Sequence, residues 1–221
     1  AAVNGIAGTG YAMVGGDDER SHGALLDLGN GRLQAQLNAG HTESGESGDD
    51  ATFDLDSVSG SLRLPDAGWF TAGVFAGQVE RDSEGFPDDS GGPRLAVNRE
   101  LTDRTSKDRR YGADLRLGDS DDLQLKLKAS VFDREARDDN AAIDAGLRFP
   151  VPAFVSDTDF QRRDIALSVN RNLRTGASLV AGAELADEDG QLDSVGDFFG
   201  SGSPQTLNFS LERETTAVFL E

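Results

Sequence analysis

Few residue types in this chain could do chemistry. Its 221 residues contain no cysteine and only two histidines, which excludes thiol nucleophiles, disulfides and Cys-ligated metals. The histidines are His22 and His41. His41 opens the stretch HTESGESGDD, where a histidine, hydroxyls and acids could supply a serine nucleophile with a His/acid pair. Neither a G-x-S-x-G elbow nor an H-E-x-x-H motif accompanies it. Stretches of this composition ordinarily form solvated surface loops, so the chain is read as a protein that catalyses no reaction. The aspartates offer more. Asp49 and Asp50, Asp88 and Asp89, Asp138 and Asp139, and the run Asp187, Glu188, Asp189 are clustered carboxylates. Calcium takes about six to eight oxygens, and Asp88, Asp89, Asp138 and Asp139 are the candidate calcium ligands. No EF-hand spacing or tandem GGxGxD repeat supports them, and solvated acidic loops share the same composition.

Two further groups could meet a ligand. RELTDRTSKDRR, residues 99–110, is a basic island with interspersed acids, suited to an anionic ligand or to lipid phosphates, and is expected to be a loop that leads into a strand. Phe149, Phe154 and Phe160, with Pro150 and Pro152, could stack on a planar ligand or pack on one another.

The balance of charge narrows the partners. Lys plus Arg number 21 against 40 Asp plus Glu, a formal charge of -19; without a basic footprint, nucleic acid is not an expected partner. No apolar run approaches the ~20 residues of a membrane-spanning helix, and AAVNGIAGTG at the start lacks the charged and apolar regions of a signal peptide. A mean hydropathy of -0.44 says little about a β-barrel, whose lipid-facing and lumen-facing residues alternate and average out.

The elements that must position these groups are strands. In RLQAQLNAGHT, residues 32–42, Leu33, Ala35, Leu37 and Ala39 alternate with Gln34, Gln36 and Asn38. Leu123, Leu125, Leu127, Ala129 and Val131 alternate in the same way with Gln124, Lys126, Lys128 and Ser130. A period of two with one dry face marks a strand. About ten such segments are expected, over residues 3–14, 20–28, 32–42, 52–64, 69–80, 110–117, 123–133, 159–172, 177–187 and 205–220. Several match the roughly 9 to 11 residues of a tilted strand crossing a bilayer.

Short and long connections take turns along the chain. Residues 29–31, 65–68, 118–122 and 173–176 are short; 15–19, 43–51, 81–109, 134–158 and 188–204 are longer. In an up-and-down meander this puts tight turns at one end and long loops at the other, the layout of an outer-membrane barrel. Across the GDSDD turn the expected register sets Leu117 against Leu123, Leu115 against Leu125, Ala113 against Leu127 and Asp114 against Lys126. Trp69 and Phe70 lie beside a tight turn and Tyr111 toward the loop end of its strand, where aromatic girdles belong. A sandwich with polar outer faces would give the same alternation. The fold class expected is all-β: an antiparallel up-and-down meander of about ten long strands, part of a transmembrane β-barrel.

RETTAVFLE, residues 213–221, and RDSEGFPDD, residues 81–89, together with this cadence, resemble the first half of the barrel of a TonB-dependent outer-membrane receptor, most closely the vitamin B12 (cobalamin) branch. In that family an early strand runs into a Ser-acid-Gly-Phe stretch, matched by Ser83, Glu84, Gly85 and Phe86, and a strand entered through a Thr-rich segment continues as at residues 217–221. The resemblance implies a barrel segment of a transporter that takes up a large scarce nutrient, cobalamin or a metal chelate. It implies residence in the bacterial outer membrane, contact with its lipid, loops ordered by calcium, and energy from TonB delivered through a plug domain. Since the first residues already read as strand and nothing resembles a plug, residues 1–221 are expected to be a partial barrel domain cut at both ends. Two alternatives stay open: a complete small outer-membrane barrel (porin, adhesin or hydrolase), and a soluble acidic calcium-binding β protein.

Overall fold

The computed structural model describes residues 4–16, 18–45, 51–64, 69–86, 101–118, 123–143, 150–173, 177–197 and 202–220. The alternating segments form strands β1 (Asn4–Val14), β2 (Arg20–Asn30), β3 (Gln34–Gly45), β4 (Thr52–Leu64), β5 (Phe70–Gly85), β6 (Thr102–Gly118), β7 (Leu123–Asn140), β8 (Phe154–Asn172), β9 (Ser178–Gly196) and β10 (Gln205–Leu220). They make one 10-stranded sheet in sequence order, antiparallel throughout. This is the expected meander.

One face carries the apolar residues. Across the middle of the sheet Leu37, Gly60, Ala76 and Tyr111 are register partners in turn, as are Ala72, Leu115, Leu127, Leu167 and Ala183. Among the described residues no hydrophobic side chain is buried, while Leu37, Leu62, Val74, Leu127, Ile165, Leu167 and Leu185 are exposed. A soluble two-layer protein would hide them. The buried polar residues Ser21, Thr102, Gln124, Ser156 and Ser194 all fall on the other face, and crowding on one side only marks that face as the concave one. Exposed large apolar residues occur on the concave face on the edge strands alone, at Tyr11, Met13, Leu207, Phe209, Leu211 and Phe219.

The apolar band is short relative to the strands. On β7 it runs from Leu123 to Val131, about 26 Å of extended chain; at the roughly 45° tilt of barrel strands this is nearly 20 Å of depth, against the ~25 Å of a barrel's lipid belt. Beyond Val131 the strand continues for another nine residues, DREARDDN after Phe132. The loop-side ends therefore reach further than the alternation indicates. Residues 81–85, 102–109, 134–140, 154–158 and 188–196, expected in connections, are strand. The basic island is likewise strand from Thr102 onward. Tyr111 consequently sits mid-strand, where outward Ala113 gives way to outward Arg109, at one rim of the band; Trp69 stands at the opposite rim beside β5.

The register across the 118–122 turn also differs from expectation. Leu117 pairs with Leu125, Leu115 with Leu127, Ala113 with Ala129 and Asp114 with Lys128, a slip of two residues. Alternation fixes only the parity of a register, because a shift of two returns every side chain to its own face.

Candidate functional site: the concave face

The concave face is charged in a complementary way. On β6 and β7, inward Asp108 and Arg134 are register partners. Arg134 donates from Nε to Asp108 Oδ1 at 2.7 Å and from Nη2 to Oδ2 at 2.8 Å, and Arg81 of β5 donates to the same Oδ2 at 2.8 Å. The Asp108 side chain keeps only 12% exposure. A carboxylate gripped by two guanidiniums is well satisfied, and the planar forks hold their geometry.

The next row toward the tight turns reads Arg110, Phe132, Arg162, Glu188 and Arg213 in direct register. Arg162 bonds Glu188 at 3.0 Å and Asp164 at 2.8 Å, and Arg213 lies 3.9 Å from Glu188. Phe132 and Phe160 have ring centroids 6.2 Å apart, and Arg134 rides over Phe132 at 5.6 Å. Arg110 covers Phe75 at 5.8 Å. The Phe75 ring in turn lies over Gly112, where a Cβ would come within 2.8 Å of it. The result is a wall of guanidiniums and phenyl faces running from β5 to β10. Such a wall can hold an anionic, partly planar solute by charge and stacking.

Closer to the tight turns the charges cease to match. Arg116 is opposite Lys126, and Lys128 lies two residues further along. Asp114, the register partner of Lys128, leans the other way, its Oδ1 2.7 Å from where a Cβ on Gly73 would stand.

The convex face beyond the apolar band is different again. Acids meet acids there: Asp54 with Asp82, Glu135 with Asp159, Asp157 with Asp193, Asp189 with Glu212 and Asp187 with Glu214. Some are relieved by cations from the same face, as where Lys107 ion-pairs Glu80 and Arg109 bonds Glu135 at 2.8 Å.

The candidate residues read from the sequence fall as follows. Asp88 and Asp89 lie outside the described residues, as do Asp49, Asp50 and Phe149. Asp138 and Asp139 are successive on β7, so their carboxylates leave opposite faces; Asp138 lies 3.4 Å from Arg104 on the concave side. Asp187, Glu188 and Asp189 alternate in the same way on β9. Phe160 joins the wall, whereas the Phe154 side chain belongs to the loop-side end of β8. His41 points to the convex face with Asp56, while Ser44 and Ser57 face inward, so His41 and the nearest described strand serines do not share a face. Arg134 is not singled out by the spacing, and Arg81, Asp108 and Glu188 stand out only as members of the stretches 81–89, 99–110 and 187–189 rather than as one interior cluster, because all four lie where the hydropathic alternation has already stopped.

No protein-family model and no curated protein matches the sequence. Solved structures do match. The ferripyoverdine receptor of the Pseudomonas aeruginosa outer membrane, bound to ferripyoverdine, overlays 100% of this chain with a TM-score of 0.74 at 14% identity. The ferric yersiniabactin uptake receptor of Yersinia pestis overlays 98% with a TM-score of 0.71 at 11% identity. The siderophore receptor PiuA of Acinetobacter baumannii overlays 99% with a TM-score of 0.68 at 10% identity. The fold is that of a contiguous part of the barrels of these structures. The chain spans 35%, 39% and 40% of those receptors, respectively. The expected fold class is thus observed, and these three structures that share it are named as receptors for ferripyoverdine, for ferric yersiniabactin and for a siderophore. None of these three is named for cobalamin.

Proposed function

We propose that this chain is one arc of the barrel of an outer-membrane TonB-dependent transporter, whose cargo is a large anionic metal chelate of the siderophore kind. The observation that carries the reading is the overlay of the whole chain on a ferripyoverdine receptor barrel, joined to an exposed apolar band that strands β2 to β9 carry on the convex face only. Lipid supplies the partner for that band, and the arc does no covalent chemistry. The Arg81–Asp108–Arg134 cluster and the Phe132–Phe160 pair then line the interior along the route of the cargo, where guanidinium and phenyl groups suit carboxylate, hydroxamate or catecholate donors. A plug domain, TonB coupling through it, and calcium held by carboxylates such as Asp88 and Asp89 belong to the same proposal.

Cobalamin, favoured by the resemblance in sequence, is the second cargo to be tested. Bacteria carrying the transporter that contains this chain, and a deletion strain, are supplied with labelled ferric siderophores and with labelled cobalamin. Loss of chelate uptake in the deletion strain is the expected result. Unchanged chelate uptake with lost cobalamin uptake would redirect the proposal, and no change in either would end it.

A further inference from the structure

From the two histidines of this chain we infer that the convex face at the loop-side rim of the apolar band holds a divalent transition-metal site, of the zinc class, built on β2, β3 and β4. The chain has only two histidines, and the fold makes them register partners, His22 on β2 and His41 on β3. Their rings lie 5.1 Å apart on the outward face. Around His41 stand carboxylates: Nδ1 is 2.9 Å from Asp56 and 3.6 Å from Asp54, and Nε2 is 3.8 Å from Glu43. Among the described residues, His41, Glu43 and Asp54 form the group whose ligand atoms all lie within 4.8 Å of one another. A tetrahedral zinc with bonds of about 2.1 Å has its donors about 3.4 Å apart, so modest side-chain rotations close the set.

The electrostatics point to a cation independently of the imidazoles. Glu43 and Asp54 are direct cross-strand partners, and Asp54 and Asp56 face Asp82 and Glu80 on β5. Like charges opposed across a ladder are destabilising. Of the described cations, Arg20 reaches Glu43 at 3.4 Å and Lys107 engages Glu80; Asp54 and Asp56 are left to the histidine. The side chain of His41 is 26% exposed and that of Asp56 63% exposed, so an ion can enter from the aqueous side. Ala24, Ala39 and Val58, one step nearer the band, close the other side. Imidazole with carboxylate selects zinc, nickel, cobalt or copper over calcium, which takes oxygen donors alone. A metal here ties β2, β3 and β4 together on the side facing lipid headgroups.

The test uses the intact transporter that contains this chain, purified in detergent, with strand content checked by circular dichroism. Cobalt(II) serves as the optical probe, zinc(II) is titrated calorimetrically and by displacement of cobalt, and calcium(II) is the control. The expected result is one zinc per chain, a cobalt visible band removed by zinc, no displacement by calcium, and zinc binding at least ~10-fold weaker in His41→Gln, in His22→Gln and in the exposed-site variant Glu43→Gln. Absence of a cobalt band in the wild-type chain would overturn the inference. So would calcium competing as well as zinc, or folded variants that bind zinc as the wild type does.

Discussion

Placing an arginine at Leu127 measures directly what the convex face touches. Leu127 lies at the centre of the band, with Leu115 and Leu167 as its register partners and 39% of its surface exposed. If hydrocarbon surrounds it, Leu127→Arg costs about 2 to 4 kcal/mol, and the cost falls to about 0 to 1 kcal/mol near the rims. Leu123, four residues away at the tight-turn rim and 50% exposed, therefore has a small penalty when changed to arginine. At about 1.4 kcal/mol per tenfold, the central variant shifts the folding equilibrium by roughly 30- to 700-fold. The assay is reversible guanidinium unfolding of the lipid-reconstituted protein followed by tryptophan emission, with Ser130→Arg on the concave face as the inward control. A depth profile peaked at Leu127, with Ser130→Arg near zero, is expected. A flat profile over Leu123, Leu127 and Val131 would refute the reasoning, because a water-exposed sheet face charges nothing for arginine at any depth.

Other perturbations follow from the same geometry. Asp108→Ala strands Arg81 and Arg134 beside each other and should cost about 1 to 3 kcal/mol in the same unfolding assay, while Asp157→Ala, a 52% exposed partner of Arg137, should change stability by less than about 0.5 kcal/mol. Gly23→Val places a Cβ 2.7 Å from the Tyr11 ring and 2.8 Å from the Ala39 carbonyl oxygen; accelerated amide exchange confined to β1, β2 and β3 is the expected readout. Phe132→Ala with Phe160→Ala should weaken chelate binding by the intact transporter about 10-fold or more, from the loss of stacking worth roughly 0.5 to 1.5 kcal/mol per aromatic contact, without altering its yield in the membrane.

The sequence makes the membrane-level part of each strand legible and little above it. For β4 and β10 the expected limits, 52–64 and 205–220, are those observed. Within the band, lipid on one side and a polar interior on the other impose a hydropathic period of two. Past Val131, water bathes both faces, both carry charge, and the backbone ladder continues without any periodicity of hydropathy. Asp108, Arg134 and Glu188 sit in those upper stretches, so the interior wall was hidden inside segments that read as loops. Its signal was present in another form, as opposite charges at matched hairpin positions, which becomes visible once the register is known to two residues. His22 and His41, by contrast, lie in segments that read as strands, 20–28 and 32–42, and only the register between those strands makes them partners.

The absence of native cysteine allows the most direct test of the central claim. Single cysteines at positions 123 to 131 of β7, each carrying a nitroxide, report access to oxygen dissolved in lipid and to a water-soluble nickel chelate in the reconstituted protein. Oxygen access peaking at 123, 125, 127, 129 and 131, with nickel access peaking at 124, 126, 128 and 130, is the predicted result. Equal access to the nickel chelate on both sets of positions, or the opposite alternation, would contradict it.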